Sequence, residues 1–254
     1  MAYLESQISK DMLPVKISLL KLGNLKYPVY LSQIERWKSD LISISSIKEI
    51  AVLPNAEGEN WEYTDKQLST LISHNNDGDI TVAITNVPLE NNFFLRRLSN
   101  NVCVLSLYEI AEILNFSGLS TEKFIIKVLY EIITVYLENQ QKIPVSAYTI
   151  AHDETRGCIF DMCASKYDII HSSSNPTICS SCKTRLSSKQ MEKHFISKLE
   201  NELQRIKRPL FYKISDFIKQ HPVWSLVITA LSGLVLNIFA NVIYDCWIKK
   251  LFTE

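Results

Sequence analysis

From Pro222 to Tyr244 the chain reads PVWSLVITALSGLVLNIFANVIY, a run without a charged side chain. A helix rises about 1.5 Å per residue, so such a run covers the ~30 Å hydrocarbon core of a bilayer. Core helices of soluble proteins rarely stay apolar for so long. The pattern predicts a single transmembrane helix over residues 221–248. Trp224 at one end, and Tyr244 and Trp247 at the other, suit the two membrane interfaces. Arg205, Lys207, Arg208, Lys213 and Lys219 crowd the N-terminal side. The positive-inside rule then expects the N-terminal part in the cytoplasm, beneath an inner or plasma membrane, with Lys249 and Lys250 opposing weakly. The opening residues, MAYLESQISKDML, show no apolar segment after a basic start, so no secretory signal is expected.

Within the run, Ser225, Thr229, Gly233, Asn237 and Asn241 recur every four residues. Small and polar side chains on one stripe let helices approach and hydrogen-bond in lipid. The stripe predicts self-association, around a pore or as a clasp, against a monomeric anchor that tolerates two asparagines. Residues 187–220 read as a helical stalk. Ser187 to Gln190 (SSKQ) resembles a capping box. Ile196, Leu199, Leu203, Ile206 and Leu210 then follow at spacings of three and four, an a/d seam of about two heptads. Such a seam joins copies of the chain or packs on its own domain. Pro209 ends the helix, and FYKISDFIKQ is amphipathic, suited to the bilayer surface.

Residues 1–186 alternate between strand and helix patterns. KISLLKL (Lys16–Leu22), IKEIAVL (Ile47–Leu53), DITVAIT (Asp79–Thr85) and NVCVLSL (Asn101–Leu107) are strand candidates. SQIERWKSDL after Ser32, and Thr64–Ile72, read as helices. The fold class expected is α/β (α+β), a mixed sheet with helices. Thr121–Leu137 is a long, mostly apolar helix whose Lys123, Lys127 and Glu131 make it a core helix and not a second span. Net charge is zero, with 27 basic and 27 acidic residues, which speaks against nucleic-acid binding.

Six cysteines are present, and four form tight pairs: Cys158-x4-Cys163 and, fifteen residues on, Cys179-x2-Cys182. Paired cysteines without a secretory signal read as metal ligands. Four thiolates would close a tetrahedral Zn2+ knuckle over 158–182, a structural site with no open position.

This order of parts resembles the archaemetzincins, zinc metalloproteases of the metzincin class. In that family an active-site helix bearing HExxHxxGxxH leads into cysteine pairs that hold a second, structural zinc. Cys158, Cys163, Cys179 and Cys182 match the knuckle, NVCVLSL the preceding strand, and the Thr121 helix the active-site helix. The resemblance covers roughly Lys16 to Leu186 and implies a metzincin-like fold with structural zinc. The catalytic motif departs from the family. Tyr130-Glu131-x-x-Thr134 stands where HExxH would be, keeping the general base Glu131 without either histidine, and Gly157 stands where the third histidine would precede the first cysteine.

Chemistry could survive only elsewhere. His152, Asp153, Glu154 and Arg156 form a polar cluster before the cysteines, with His171 between the pairs. They would brace the knuckle, bind a ligand or partner, or, with Glu131 and His152, serve a hydrolase. Asn91, Asn92, Arg96 and Arg97 are a second polar cluster. The expectation is a membrane-anchored pseudo-protease that senses a cue and acts through a self-associating helix. That layout suits a membrane-perturbing effector of a prokaryotic antiviral defence system. The alternatives are an active membrane-tethered metallohydrolase, or a zinc-stabilised adaptor holding an unknown protein partner at the membrane.

Overall fold

A computed structural model of the chain describes residues 14–72, 77–145, 151–152, 155–189, 191, 193–207, 214–215, 217–218 and 220–243. It divides into two compact units, Met1–Lys207 and Arg208–Glu254.

The first unit is built on a five-stranded mixed sheet in the order β2-β1-β3-β5-β4. The strands are β1 (Val15–Leu22), β2 (Ile42–Ile50), β3 (Ile80–Thr85), β4 (Leu95–Leu98) and β5 (Val102–Ser106). All neighbours run parallel except β4, which is antiparallel to β5. Successive strand side chains point to opposite faces, and both faces are covered. Ile17, Leu19, Val82, Ile84, Cys103 and Leu105 enter one core; Leu20, Leu22, Ala83, Val102 and Val104 enter the other. This explains why β3 and β5 read as continuous apolar runs. Strand β2 starts earlier than its apolar signal, because an edge strand tolerates the serines of ISISS.

Strand β4 has only a weak apolar signal, since LRRL carries Arg96 and Arg97 between its leucines. It forms because Asn100 and Asn101 accept the positive φ of a tight hairpin (59° and 57°), which sets Leu98 opposite Val102. Arg96 pairs with Asp65 at the start of helix α2 (Asp65–Ile72). That helix begins as expected, with Thr64 Oγ1 accepting the Gln67 N–H at 3.2 Å. Helix α1 is shorter than expected, Leu31–Glu35, and Trp37 beyond it turns inward.

After α3 (Ile110–Phe116), the long helix α4 runs from Thr121 to Glu138, with Ser120 capping it by accepting the Lys123 N–H at 3.2 Å. It is buried nearly all round, including Tyr130 and Lys127. Helices α5 (Ile169–Ser174), α6 (Ser180–Ser188) and α7 (Lys193–Ile206) complete the unit. Two expectations for the stalk need correction. Ser187 lies in the last turn of α6 instead of opening a helix. The apolar seam of α7 is not on offer to another copy: Phe195, Ile196, Leu199, Leu203 and Ile206 are buried in the core of their own unit. Leu210 lies outside the described residues.

The second unit contains α8 (Pro222–Ile243), whose stretch Pro222–Asn241 is long and apolar enough to cross a membrane. The polar stripe is partly satisfied within the helix. Ser225 and Thr229 hydroxyls donate to the Pro222 and Ser225 carbonyls, and Asn241 Nδ2 donates to Asn237 Oδ1 at 3.1 Å.

Candidate metal centre

The residues between α4 and α6 have little regular structure, and local hydrogen bonds fix them. His152 N–H donates to the Phe160 carbonyl (3.2 Å) and Met162 N–H to the His152 carbonyl (2.9 Å), so residues 152 and 160–162 run as a short ribbon. Ile159 N–H donates to Thr177 O and Thr177 N–H to Gly157 O, both at 2.9 Å, which brings Cys158 beside the start of α6. Cys179 is the N-cap of α6 and accepts the Cys182 N–H at 3.4 Å. The CxxC spacing thus places two sulfurs on the first turn of a helix, where the helix dipole favours thiolate. Gly157 sits at φ 154° with the Asn175 carbonyl 3.3 Å from where a Cβ would stand. A side chain at 157 would be strained in that backbone conformation.

His152, Cys158, Cys179 and Cys182 converge, with one donor atom of each within 4.8 Å of the others. Cys158 and Cys182 sulfurs are 3.9 Å apart, and Cys179 Sγ is 3.3 Å from His152 Nε2. Zinc bonds of about 2.3 Å to sulfur and ~2.0–2.1 Å to nitrogen give tetrahedral edges of about 3.8 Å between sulfurs and ~3.6 Å between sulfur and nitrogen. The donor set fits a zinc ion on both edges. It differs from the four cysteines expected. Cys163 is not in the cluster; its thiol donates to the Asp161 carbonyl at 3.6 Å, and burial pushes it up to about 11. Cys158 is lowered to about 5, chiefly through its bond with Cys182, which is raised for the same reason. Cys179 is lowered too: burial opposes this, and the Ser181 hydroxyl and Cys182 N–H outweigh it. Cys158 and Cys179 are thus the two thiols whose surroundings favour loss of the proton.

Asp161 was not singled out in the sequence. Its carboxylate accepts Thr155 N–H (2.9 Å), Thr155 Oγ (2.8 Å) and Gly157 N–H (2.7 Å), and lies 3.7 Å from His152 Nδ1. Burial raises its pKa, and these donors together lower it below the usual value. Arg156 and His171, the other described candidates, are not among the clustered donors. Arg156 is exposed on a positive-φ turn, His171 sits in α5, and Asp153 and Glu154 lie outside the described residues. The knuckle is tied to α4 by Arg185 of α6, 3.3 Å from the buried Glu138 and stacked on Phe160 at 4.8 Å.

The stretch resembling HExxH is occupied otherwise. Tyr130 hydroxyl accepts Trp37 Nε1–H at 2.7 Å and donates to Glu202. Glu202 also accepts Ser39 Oγ (2.5 Å) and Asp40 N–H (2.8 Å). Thr134 donates back to the Tyr130 carbonyl at 2.7 Å. Glu131 is 3.7 Å from Lys127 and is raised by burial, with Lys127 opposing. It borders a space of about 20 Å³ with Arg97 and Cys103. A separate cleft of about 950 Å³ is lined by Asn91, Asn92, Phe93, Glu109, Phe116, Cys163, Lys166 and Tyr167. Lys166 bridges its wall, donating to Asn92 Oδ1 (2.6 Å) and Glu109 Oε2 (3.0 Å). Asn91, Asn92 and Glu109 all have positive φ (59°, 56° and 64°).

No protein-family model matches the chain, and no curated protein does. Among solved structures, the crystal structure of archaemetzincin from Methanopyrus kandleri is similar over 70% of this chain and 97% of that one, with a TM-score of 0.47 and 18% identity.

Proposed function

We propose that this chain is a zinc-stabilised, membrane-anchored pseudo-protease, whose first unit receives a ligand or partner and whose apolar helix delivers the response at a bilayer. The observation that supports it most is the fate of Tyr130. At the helical position where an imidazole would have to be presented, its hydroxyl is shared between Trp37 and Glu202 in the core. A catalytic zinc needs three protein ligands and an open fourth position. Tyr130 and Thr134 supply no ligand, and the space of about 20 Å³ at Glu131 has room for about one water. Glu131 is also not in the cluster that contains His152, so the pair required by a tethered metallohydrolase is not assembled. Four clustered donors are the number that a closed tetrahedral site takes, which suits a structural metal that adds folding free energy. The cleft beside Asn92 and Lys166 has the size of a ligand pocket and is the place for a cue.

Self-association falls to α8, since the seam of α7 is buried. One hydrogen bond joins Asn237 and Asn241, and side-chain amides of this kind carry further donor and acceptor sites that a neighbouring helix can use. An effector of a defence system is the narrowest form of the reading and draws on layout alone. The test uses the full chain in detergent and in vesicles. Expected are one zinc per chain, no peptidase activity, and dye leakage from vesicles that the change of Asn237 and Asn241 to Leu abolishes. Two zincs per chain, with activity lost in Glu131→Gln, would establish the metallohydrolase instead. Vesicle binding without leakage, unaltered by the asparagine changes, would leave the adaptor.

A further inference from the structure

We infer that the metal centre takes three thiolates and one imidazole, with His152 as the fourth ligand through Nε2, Asp161 as the residue that aims it, and Cys163 left outside. This rests on the reading above that the clustered donors hold zinc.

An imidazole gives one nitrogen to a metal, and the other is usually held by a carboxylate or carbonyl that fixes ring orientation and tautomer. His152 lies between two such groups, with the carboxylate at ion-pair distance from Nδ1. Nε2 faces the Cys179 sulfur at 3.3 Å, and Nδ1 faces Asp161 Oδ1 at 3.7 Å. Asp161 is itself immobilised by the turn that presents Cys158. Thr155 donates its N–H and hydroxyl to Oδ1, and Gly157 donates its N–H to Oδ2. One carboxylate therefore sets both the imidazole and the loop of the first thiol. The ribbon bonds from His152 N–H to Phe160 O and from Met162 N–H to His152 O fix the backbone on either side.

Cys163 follows that ribbon directly, and its sulfur has a different neighbourhood. It is bonded to the Asp161 carbonyl and lines the cleft with Ser165 and Lys166. The ligand pattern is thus His152-x5-Cys158-x20-Cys179-x2-Cys182, and the tightest pair in the sequence after CxxC is split. Cys163 becomes a wall residue of the cleft.

Cobalt(II) in place of zinc reports the ligand set, because thiolate-to-cobalt charge-transfer absorption grows with the number of thiolates. In the full chain in detergent micelles, the wild type should show three thiolates. Cys163→Ser should leave metal stoichiometry and spectrum unchanged. His152→Ala removes a ligand and can unfold the site, so His152→Cys carries the test: it should fold, bind one cobalt and gain a fourth thiolate. Asp161→Asn should keep the three-thiolate spectrum and weaken metal affinity roughly 10–100-fold. Four thiolates in the wild type, dropping to three in Cys163→Ser, would overturn the ligand assignment while sparing the zinc reading. A wild type that binds no stoichiometric metal would overturn the zinc reading, and the assignment with it.

Discussion

Removing one oxygen from Tyr130 tests the core of the functional reading. The ring is fully buried, and phenylalanine preserves its volume, so Tyr130→Phe adds no cavity. Two interactions are lost. The hydroxyl no longer donates to the Glu202 carboxylate, a bond to a charged group worth about 1.5–3 kcal/mol. The Trp37 indole N–H, 2.7 Å from that oxygen, loses its acceptor, at about 1–3 kcal/mol if it stays buried. Glu202 keeps Ser39 Oγ at 2.5 Å and Asp40 N–H at 2.8 Å, so its charge is not abandoned. The total expected is therefore the lower part of the sum, about 2–4 kcal/mol. For a unit of this size, each kcal/mol moves the midpoint by roughly 2–4 °C, giving a fall of roughly 5–15 °C. Thermal unfolding of the full chain in micelles, followed by near-ultraviolet circular dichroism with zinc held constant, measures it. A shift under about 1 °C would mean that the hydroxyl is free. Tyr130 would then be available to a site, and the claim that the core occupies this position would fail.

Three further outcomes follow from other parts of the molecule. Leu199→Ala, in the fully buried seam of α7, should cost about 2–5 kcal/mol in denaturant unfolding at any protein concentration; a loss of oligomer without a loss of stability would restore the stalk as an interface. Cys158→Ser should remove stoichiometric zinc and lower the unfolding midpoint by the same amount as chelator treatment of the wild type; equal midpoints with and without chelator would dissociate metal from folding. Glu131 is raised in the folded chain by burial, with Lys127 only partly opposing. The stability linked to its proton is fully present below the ordinary carboxyl value of 4.5 and is lost as pH rises through the higher folded value. Glu131→Gln should therefore gain on the wild type as pH rises from about 4.5 upward, and urea midpoints at a series of pH values read this. A mutant that falls behind with rising pH would show a carboxylate that the fold favours.

Some of this was open to reading in one dimension because the physics is local. A strand buried on both faces must be apolar throughout, so ITVAIT announces itself, whereas an edge strand such as LRRL does not. The hairpin that pairs β4 depends on Asn100 and Asn101, which look like any polar loop until the register is known. The cysteines were visible as candidate metal donors by type and spacing. Which of them converge was not, because spacing says nothing about the turn that brings Cys158 to Cys182 and leaves Cys163 with the Asp161 carbonyl.

By itself, the sequence determined the α/β class, the apolar helix of membrane length, the donor chemistry, and the absence of imidazoles at 130 and 134. Each is a property of residue type or period, and tertiary contacts cannot revoke it. The tertiary structure alone decided the rest. It set α7 into the core instead of a coiled coil, because the same a/d seam is satisfied by any apolar surface. It also gave His152, in the sequence one of several polar candidates, a place beside three sulfurs, because a tetrahedron about 3.8 Å on an edge is a condition on distances between segments far apart in the chain.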